Sequence, residues 1–206
     1  RVFEQQYNKM CEAMGKDPDG KTIPFDGTDP KFLNAYFKVL HKPYEADGVD
    51  FWWIDWQQGS RSKQPGLDPL WVCNHYHTLD LAKNGNRPLI LSRYAGIGSP
   101  RYPLGFSGDA GILWKALDFQ PYFTYNAANI GYTHWSHDIG GHFMGNAEND
   151  QLYLRWLQFG VFTPINRLHS SSTVLSKEPW NHKSVEKEAV AALRFRHSLI
   201  PYVYTA

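Results

Sequence analysis

The sequence predicts an α/β fold on a parallel sheet: the C-terminal part of a TIM (β/α)8 barrel whose first strands lie outside the chain. Three observations predict it. Short β-branched and aromatic runs alternate with stretches of helical periodicity. Asp55, Arg93, Asp138 and His169 each sit at or just after a strand candidate, and barrels gather polar residues past the C-terminal ends of their strands. No Gly-rich nucleotide turn follows an early strand, since Gly105-Phe106-Ser107-Gly108 is not G-x-G-x-x-G, which disfavours an open doubly wound sheet. Roughly 250 residues is typical for eight strands, so the 206 residues read as one incomplete catalytic barrel domain, 1–206.

The elements follow in order. Residues 1–15 read as helix, and 15–28, holding Gly15, Pro18, Gly20, Pro24 and Gly27, as loop. Asp29-Pro30 supplies an N-cap with proline at the first helical position for a helix over 29–40. Phe32, Leu33, Tyr36, Phe37 and Leu40 form its apolar face. The run 49–56 (VDFWWIDW) reads as a buried strand. Asp68-Pro69 opens a helix to about Asn84, closed by Gly85, and 88–92 (PLILS) is the next strand. Residues 94–108 read as a Gly- and Pro-rich loop, 109–123 as helix, 132–136 as a third strand and 148–159 as helix. The stretch 161–168 is a weaker strand candidate, and 184–205 a final amphipathic helix with Pro201 near its end.

Composition excludes several classes. A net charge of +1 without a long basic run argues against a nucleic-acid binder. No window approaches about 18 consecutive apolar residues, so no membrane-spanning helix is expected. Cys11 and Cys73 allow at most one disulfide and say nothing about compartment. The first residue is Arg, not Met, so the chain reads as a processed product or an excerpt, and secretion is left open. Aromatics make 16% of the chain; Trp and Tyr beside polar groups make good walls for sugar rings.

Three aspartates carry the chemistry. Asp55, between Trp53 and Trp56, reads in isolation as a strand-end cap, but bulky aromatics desolvate it and demand a partner; Gln57 and Gln58 are candidates to orient it. Asp109, after Ser107-Gly108, reads most simply as a helix N-cap. Asp138, before two glycines, suits a turn. Three such residues at strand ends or in their loops exceed what capping predicts, and a pair of carboxylates is what glycoside hydrolysis requires. A metal site among His134, His137, Asp138 and His142 lacks a recognised ligand spacing, and His75 and His77 add none. A serine nucleophile at Ser107 lacks the final glycine of G-x-S-x-G.

Four segments in order resemble the catalytic domain of glycoside hydrolase family 31, the retaining α-glucosidase and α-xylosidase family. They are FWWIDWQQ (51–58), LSR (91–93) with Gly108-Asp109, WSHDIGGH (135–142) and RWLQFGVFTPINRLH (155–169); LRFRHSLIPYVYT also resembles the helix that closes the family's barrel. The resemblance implies Asp55 as nucleophile and Asp109 as general acid/base. It implies sugar-hydroxyl ligands at Arg93, Asp138 and His169, aromatic lining at Trp53 and Phe106, and an arginine near the subsite floor at Arg167. Trp56 and His142 fall on the pocket wall, and Arg155-Trp156 matches a structural pair. The chain departs from the common pattern at Trp56-Gln57-Gln58, where many members have x-Asn-Glu, and at His142, usually aromatic. The interval from Asp55 to Asp109 is also short.

The expected activity is that of a retaining exo-α-glycosidase working by double displacement, with the two carboxyl groups about 5–5.5 Å apart. The pocket wall leaves open α-glucosidase, α-xylosidase, α-galactosidase, α-N-acetylgalactosaminidase or transglycosylase. From another class, a non-catalytic carbohydrate-binding relative competes. The expected partner is a carbohydrate, with no nucleic acid, membrane, metal or organic cofactor. The rest of the catalytic domain and accessory β domains are expected upstream and downstream.

Overall fold

The computed structural model describes residues 1–83, 85, 87–93, 96–102 and 104–205. It divides into two compact units, residues 1–95 and 96–206.

The first unit contains α1 (Tyr7–Ala13), α2 (Pro30–Leu40), α3 (Lys42–Ala46), β1 (Trp52–Ile54), α4 (Pro69–Ala82) and β2 (Ile90–Arg93). Strands β1 and β2 pair in parallel, Trp53 opposite Leu91, with α4 as the crossover between them. Both long helices start as their sequences dictate. The Asp29 carboxylate accepts from the Lys31 N–H at 2.8 Å and the Asp68 carboxylate from the Leu70 N–H at 2.8 Å, each followed by proline. The apolar face of α2 buries Phe32, Leu33, Ala35 and Val39 against Met10, Met14 and Val72. Gly27 permits this approach, because a Cβ there would lie 2.5 Å from the Val72 side chain.

The second unit contains a 3-10 turn (Ser99–Arg101), β3 (Leu104–Phe106), β4 (Gly111–Ile112), α5 (Trp114–Asn129), β5 (Trp135–Ser136), β6 (Phe143–Gly145) and α6 (Asp150–Gly160). A second 3-10 turn (Pro179–Asn181), α7 (Glu186–Ser198) and α8 (Ile200–Thr205) follow. Strands β3 and β5 pair in parallel around α5, and β4 and β6 form a separate parallel pair. Beyond β5, isolated parallel bridges join Ser136 to Ile165 and Ile139 to Leu168. Ile139, Leu152, Trp156, Leu157, Val161 and Ala189 form the core under α6 and α7. Cys11 and Cys73 are free and buried. Among the described residues no helix is long and apolar enough to cross a membrane.

The α/β class with parallel pairing is as the sequence predicts, and several boundaries are corrected. The strand expected over 49–56 shrinks to Trp52–Ile54 and buries only Ile54; Trp53 is 44% and Trp56 62% exposed. Hydrophobicity there serves an open strand end rather than a core. The loop expected over 94–108 contains β3, hidden because Gly105 interrupts an apolar run. That glycine is required: a Cβ would lie 2.1 Å from the Tyr132 hydroxyl oxygen. The helix expected from 109 starts at Trp114, since Gly111-Ile112 pairs with β6 instead. Residues 161–168 supply bridges, not a named strand, and the last helix breaks at Leu199, two residues before Pro201. Asn84, Tyr94 and Pro103, within elements expected from sequence, lie outside the described residues.

One buried pair makes the fold sensitive to acid. His77 Nδ1 lies 2.7 Å from the Cys73 carbonyl and its Nε2 3.0 Å from Nε2 of His41. With Nδ1 donating, Nε2 of His77 accepts from His41, so a second proton on His77 sets donor against donor. Burial chiefly, then His41, pulls the His77 pKa down to about 4; burial chiefly does the same to His137, also to about 4. The unfolded chain therefore takes up protons first, near pH 6.5, and stability falls as pH drops from there towards 4. We expect a loss on the order of 2 kcal/mol from each ring over that window. The measurement is the urea midpoint against pH. His77→Gln is expected to cut the slope between pH 6.5 and 4 by about half, and an unchanged slope would show that His77 does not titrate this way.

Candidate active site

In the first unit, Asp55 immediately follows β1 and Arg93 ends β2. The register that sets Ile54 opposite Ser92 brings Asp55 beside Arg93, and the Arg93 Nε–H donates to Asp55 Oδ1. Both side chains are about one-quarter exposed, 23% for Arg93 and 24% for Asp55, so the pair sits at the surface of the sheet end rather than in the core. Trp53 shares the Asp55 face by strand alternation. Below the strand, Trp52 donates its indole N–H to Glu45 at 3.1 Å and packs on His41. A cavity of about 360 Å³ touches Trp53, Asp55, Gln57 and Gln58 on one side and His41 and His77 on the other. The partner of Asp55 is Arg93, not Gln57 or Gln58 as expected from sequence.

In the second unit, Phe106 ends β3, 1% exposed, with the Arg167 guanidinium 5.2 Å above its ring centre. Asp109 stands three residues on, ahead of β4, its side chain 37% exposed. Helix α5 starts five residues later with Leu113 in the N-cap position, so the capping role that its sequence suggests is not what Asp109 performs. Asp138 follows β5 and is fully buried. The Arg167 Nη2–H donates to its Oδ1, while its Oδ2 is buried with no hydrogen-bond partner among the described residues. A buried carboxylate oxygen left without a donor is costly, and a hydroxyl-bearing ligand would satisfy it.

Residues 167–169 run alongside Asp138 and Ile139: the Ile139 N–H donates to the Arg167 carbonyl at 3.3 Å and the His169 N–H to the Ile139 carbonyl at 3.4 Å. His169 stacks on His142 with ring centres 4.6 Å apart and planes 15° apart. Nε2 of His142 lies 4.0 Å from Oδ1 of Asp109. Burial holds His169 below its ordinary pKa; Arg167 and His142 push the same way, and Asp138 and Asp109 oppose.

Asp138, His142 and His169 present ligand atoms within 4.8 Å of one another. A metal ion must lie near the plane of each ligating ring, and two stacked, nearly parallel rings share no such position. The Asp138 carboxylate is moreover engaged by Arg167. The histidine set considered from sequence separates: both nitrogens of His137 are used on α5, by Gln120 at 2.7 Å and Thr124 at 3.0 Å, and His134 is exposed. Trp156 belongs to the core and Arg155 bonds Gln158, both as a structural pair would. Sequence reading passed over Lys177, which is buried with its stem against Gly140 beside Asp138; no motif marks it, and only the tertiary structure reveals it.

Residues 2–206 match the family model described as the TIM-barrel domain of glycosyl hydrolases family 31. An alpha-xylosidase of Saccharolobus solfataricus is 34% identical over 99% of this chain and 30% of its own length. A probable glucan 1,3-alpha-glucosidase of Oryza sativa subsp. japonica is 37% identical over 94% of this chain and 24% of its own. Among solved structures, a dextranase of Flavobacterium johnsoniae complexed with glucose matches with a TM-score of 0.77 and 27% identity, over 99% of this chain and 30% of that one. The chain thus spans less than a third of the length of these relatives. Parallel β-α-β units in each half and a family match across nearly every residue lead to one conclusion: the chain belongs to glycosyl hydrolases family 31 and forms part of its TIM-barrel domain.

Proposed function

We propose that this chain carries the catalytic residues of a retaining exo-α-glycosidase that removes terminal α-linked sugars, with Asp55 as nucleophile and Asp109 as general acid/base. The observation that carries the reading is the pairing of Asp55 with Arg93 at the C-terminal end of two parallel strands. The guanidinium holds one oxygen of Asp55, which leaves the other to attack. Asp109 supports the reading as well, since it caps no helix.

In the first half-reaction the Asp55 carboxylate forms a bond to the anomeric carbon as the glycosidic C–O bond breaks. The leaving oxygen takes the proton of Asp109. In the second half, water gives a proton to Asp109 and attacks the same carbon, and Asp55 departs as carboxylate. Two inversions at one carbon amount to retention. Asp138 through Oδ2, His169, Arg167 and Arg93 are read as ligands of sugar hydroxyls, with Trp53, Trp56, Phe106 and His142 as wall. The family match over residues 2–206 supports treating both units as one barrel domain. The relatives' greater length supports further segments working beside it. Their names, alpha-xylosidase and glucan 1,3-alpha-glucosidase, make α-xylosides and α-glucosides the first probes.

The two carboxylates have unequal jobs, and separate variants test them. Asp55→Asn is expected to reduce hydrolysis of 4-nitrophenyl α-glucoside and α-xyloside to background, because no covalent intermediate forms. Near-normal turnover would remove Asp55 from the nucleophile role, and sugar binding without turnover by the unaltered protein would favour the carbohydrate-binding reading.

Asp109→Ala is expected to lower turnover of a natural α-disaccharide by about 10²–10⁴-fold. A nitrophenolate leaves with little protonation, so formation of the glycosyl-enzyme from the nitrophenyl glycoside should suffer far less. Added azide should then accelerate the slow second step and yield an α-glycosyl azide, identified by NMR. A β-azide would show inversion and sink the assignment.

A further inference from the structure

His142 stands where the family pattern has an aromatic hydrocarbon, and its surroundings define which of its atoms meets Asp109. The His142 backbone N–H donates to the Ala110 carbonyl at 2.7 Å, tying its backbone to the residue after Asp109. Gly141 makes that approach possible, since a Cβ there would lie 2.8 Å from the Cα of Ile112. Nε2 of the ring then lies 4.0 Å from Oδ1 of Asp109, and the ring face is fixed by stacking on His169. Nδ1 is buried with no hydrogen-bond partner among the described residues. A buried ring nitrogen without an acceptor is better left bare than protonated. The proton of the neutral imidazole therefore belongs on Nε2, the atom that faces Asp109.

We propose that His142 is a positioning residue for Asp109: its Nε2–H orients the carboxyl and couples proton gain and loss at Asp109 to the imidazole. The proposal rests on the reading of Asp109 as general acid/base. At 4.0 Å the contact is longer than a hydrogen bond, and such contacts tighten in substrate complexes. Closed to hydrogen-bond distance, the N–H would donate to the carboxylate form, the form that activates water in the second half-reaction. Among the described residues, the charged and titratable groups around the ring include Asp109 directly, and Asp138, Arg167 and His169 across the stacked face. His169 lies below its ordinary pKa, so at neutral pH the ring beneath His142 is the neutral form.

Histidine Cε1–H signals of ¹³C-labelled protein, followed from pH 3 to 9, test the coupling without any substrate. His142→Phe identifies the His142 signal by its loss. The expected curve carries a second inflection in the carboxylate range, and Asp109→Asn is expected to abolish it and lower the ring's own pKa by about half a unit or more. A curve identical in Asp109→Asn overturns the proposal. With 4-nitrophenyl α-glucoside or α-xyloside, His142→Phe is expected to move the basic limb of the kcat/KM profile to higher pH by about half a unit or more. His142→Gln, which keeps a donor, should leave the basic limb at the pH of the unaltered protein whatever its turnover, and guards against a Phe variant that fails to fold. An equal fall at every pH with no shift marks a structural role and overturns the proposal. Coupling in the NMR with a fully active Asp109→Ala overturns the acid/base reading alone. No coupling with a defective Asp109→Ala overturns the pairing alone.

Discussion

The structure depends on one recurring interaction, a strand-end aspartate met by an arginine from the neighbouring parallel segment. In the first unit the register of β1 and β2 sets Asp55 beside Arg93. In the second, the bridges Ser136–Ile165 and Ile139–Leu168 set Asp138 beside Arg167 in the same manner. Parallel strands end together, so residues just past their C-termini project into the same space, and a carboxylate there without a cation would repel its neighbours and resist burial. The two pairs differ in setting. Asp138 is fully buried and Asp55 is one-quarter exposed. Removing one partner of a buried pair costs about 3–5 kcal/mol, because an uncompensated charge remains. That weight falls on Asp138 and Arg167, while the Asp55 pair is screened by solvent.

Each pair leaves chemistry to spare. Arg93 engages Oδ1 of Asp55, and Arg167 engages Oδ1 of Asp138 while Oδ2 stays buried without a partner. Single-oxygen pairing balances the charge of each carboxylate and leaves the second oxygen, with both its lone pairs, for another donor. The aromatic content of the chain divides along the same line: Trp135 and Trp156 are core, whereas Trp53 and Trp56 stay open at the end of β1.

Backbone approach shapes the second unit as much as charge does. Gly105 leaves room for the Tyr132 ring, and Gly141 and Gly145 lie against Ile112 so closely that any Cβ would collide. Both of the latter have positive φ, 82° and 90°, where side chains are strained. These glycines let the β4–β6 pair form, and that pair carries Asp109 and His142 on its two approaches.

The sequence by itself determined the α/β class, the N-capped starts of α2 and α4, and the family, through aspartates embedded in ordered motifs. Those features are local: a cap needs an Asp and a Pro in succession, and a helix face needs only its own periodicity. Tertiary structure alone decided which neighbour each charged group meets. The glutamines expected to hold Asp55 lie within three residues of it, yet the partner is Arg93, from the next strand. Asp109 had a plausible helix to cap until strand pairing claimed Gly111 and Ile112 and moved that helix to Trp114. Strand β3 and the contact of His142 with Asp109 were hidden for the same reason. Register between segments distant in the chain is set by packing against glycines and by hydrogen-bond pairing, and no short window of residues encodes it.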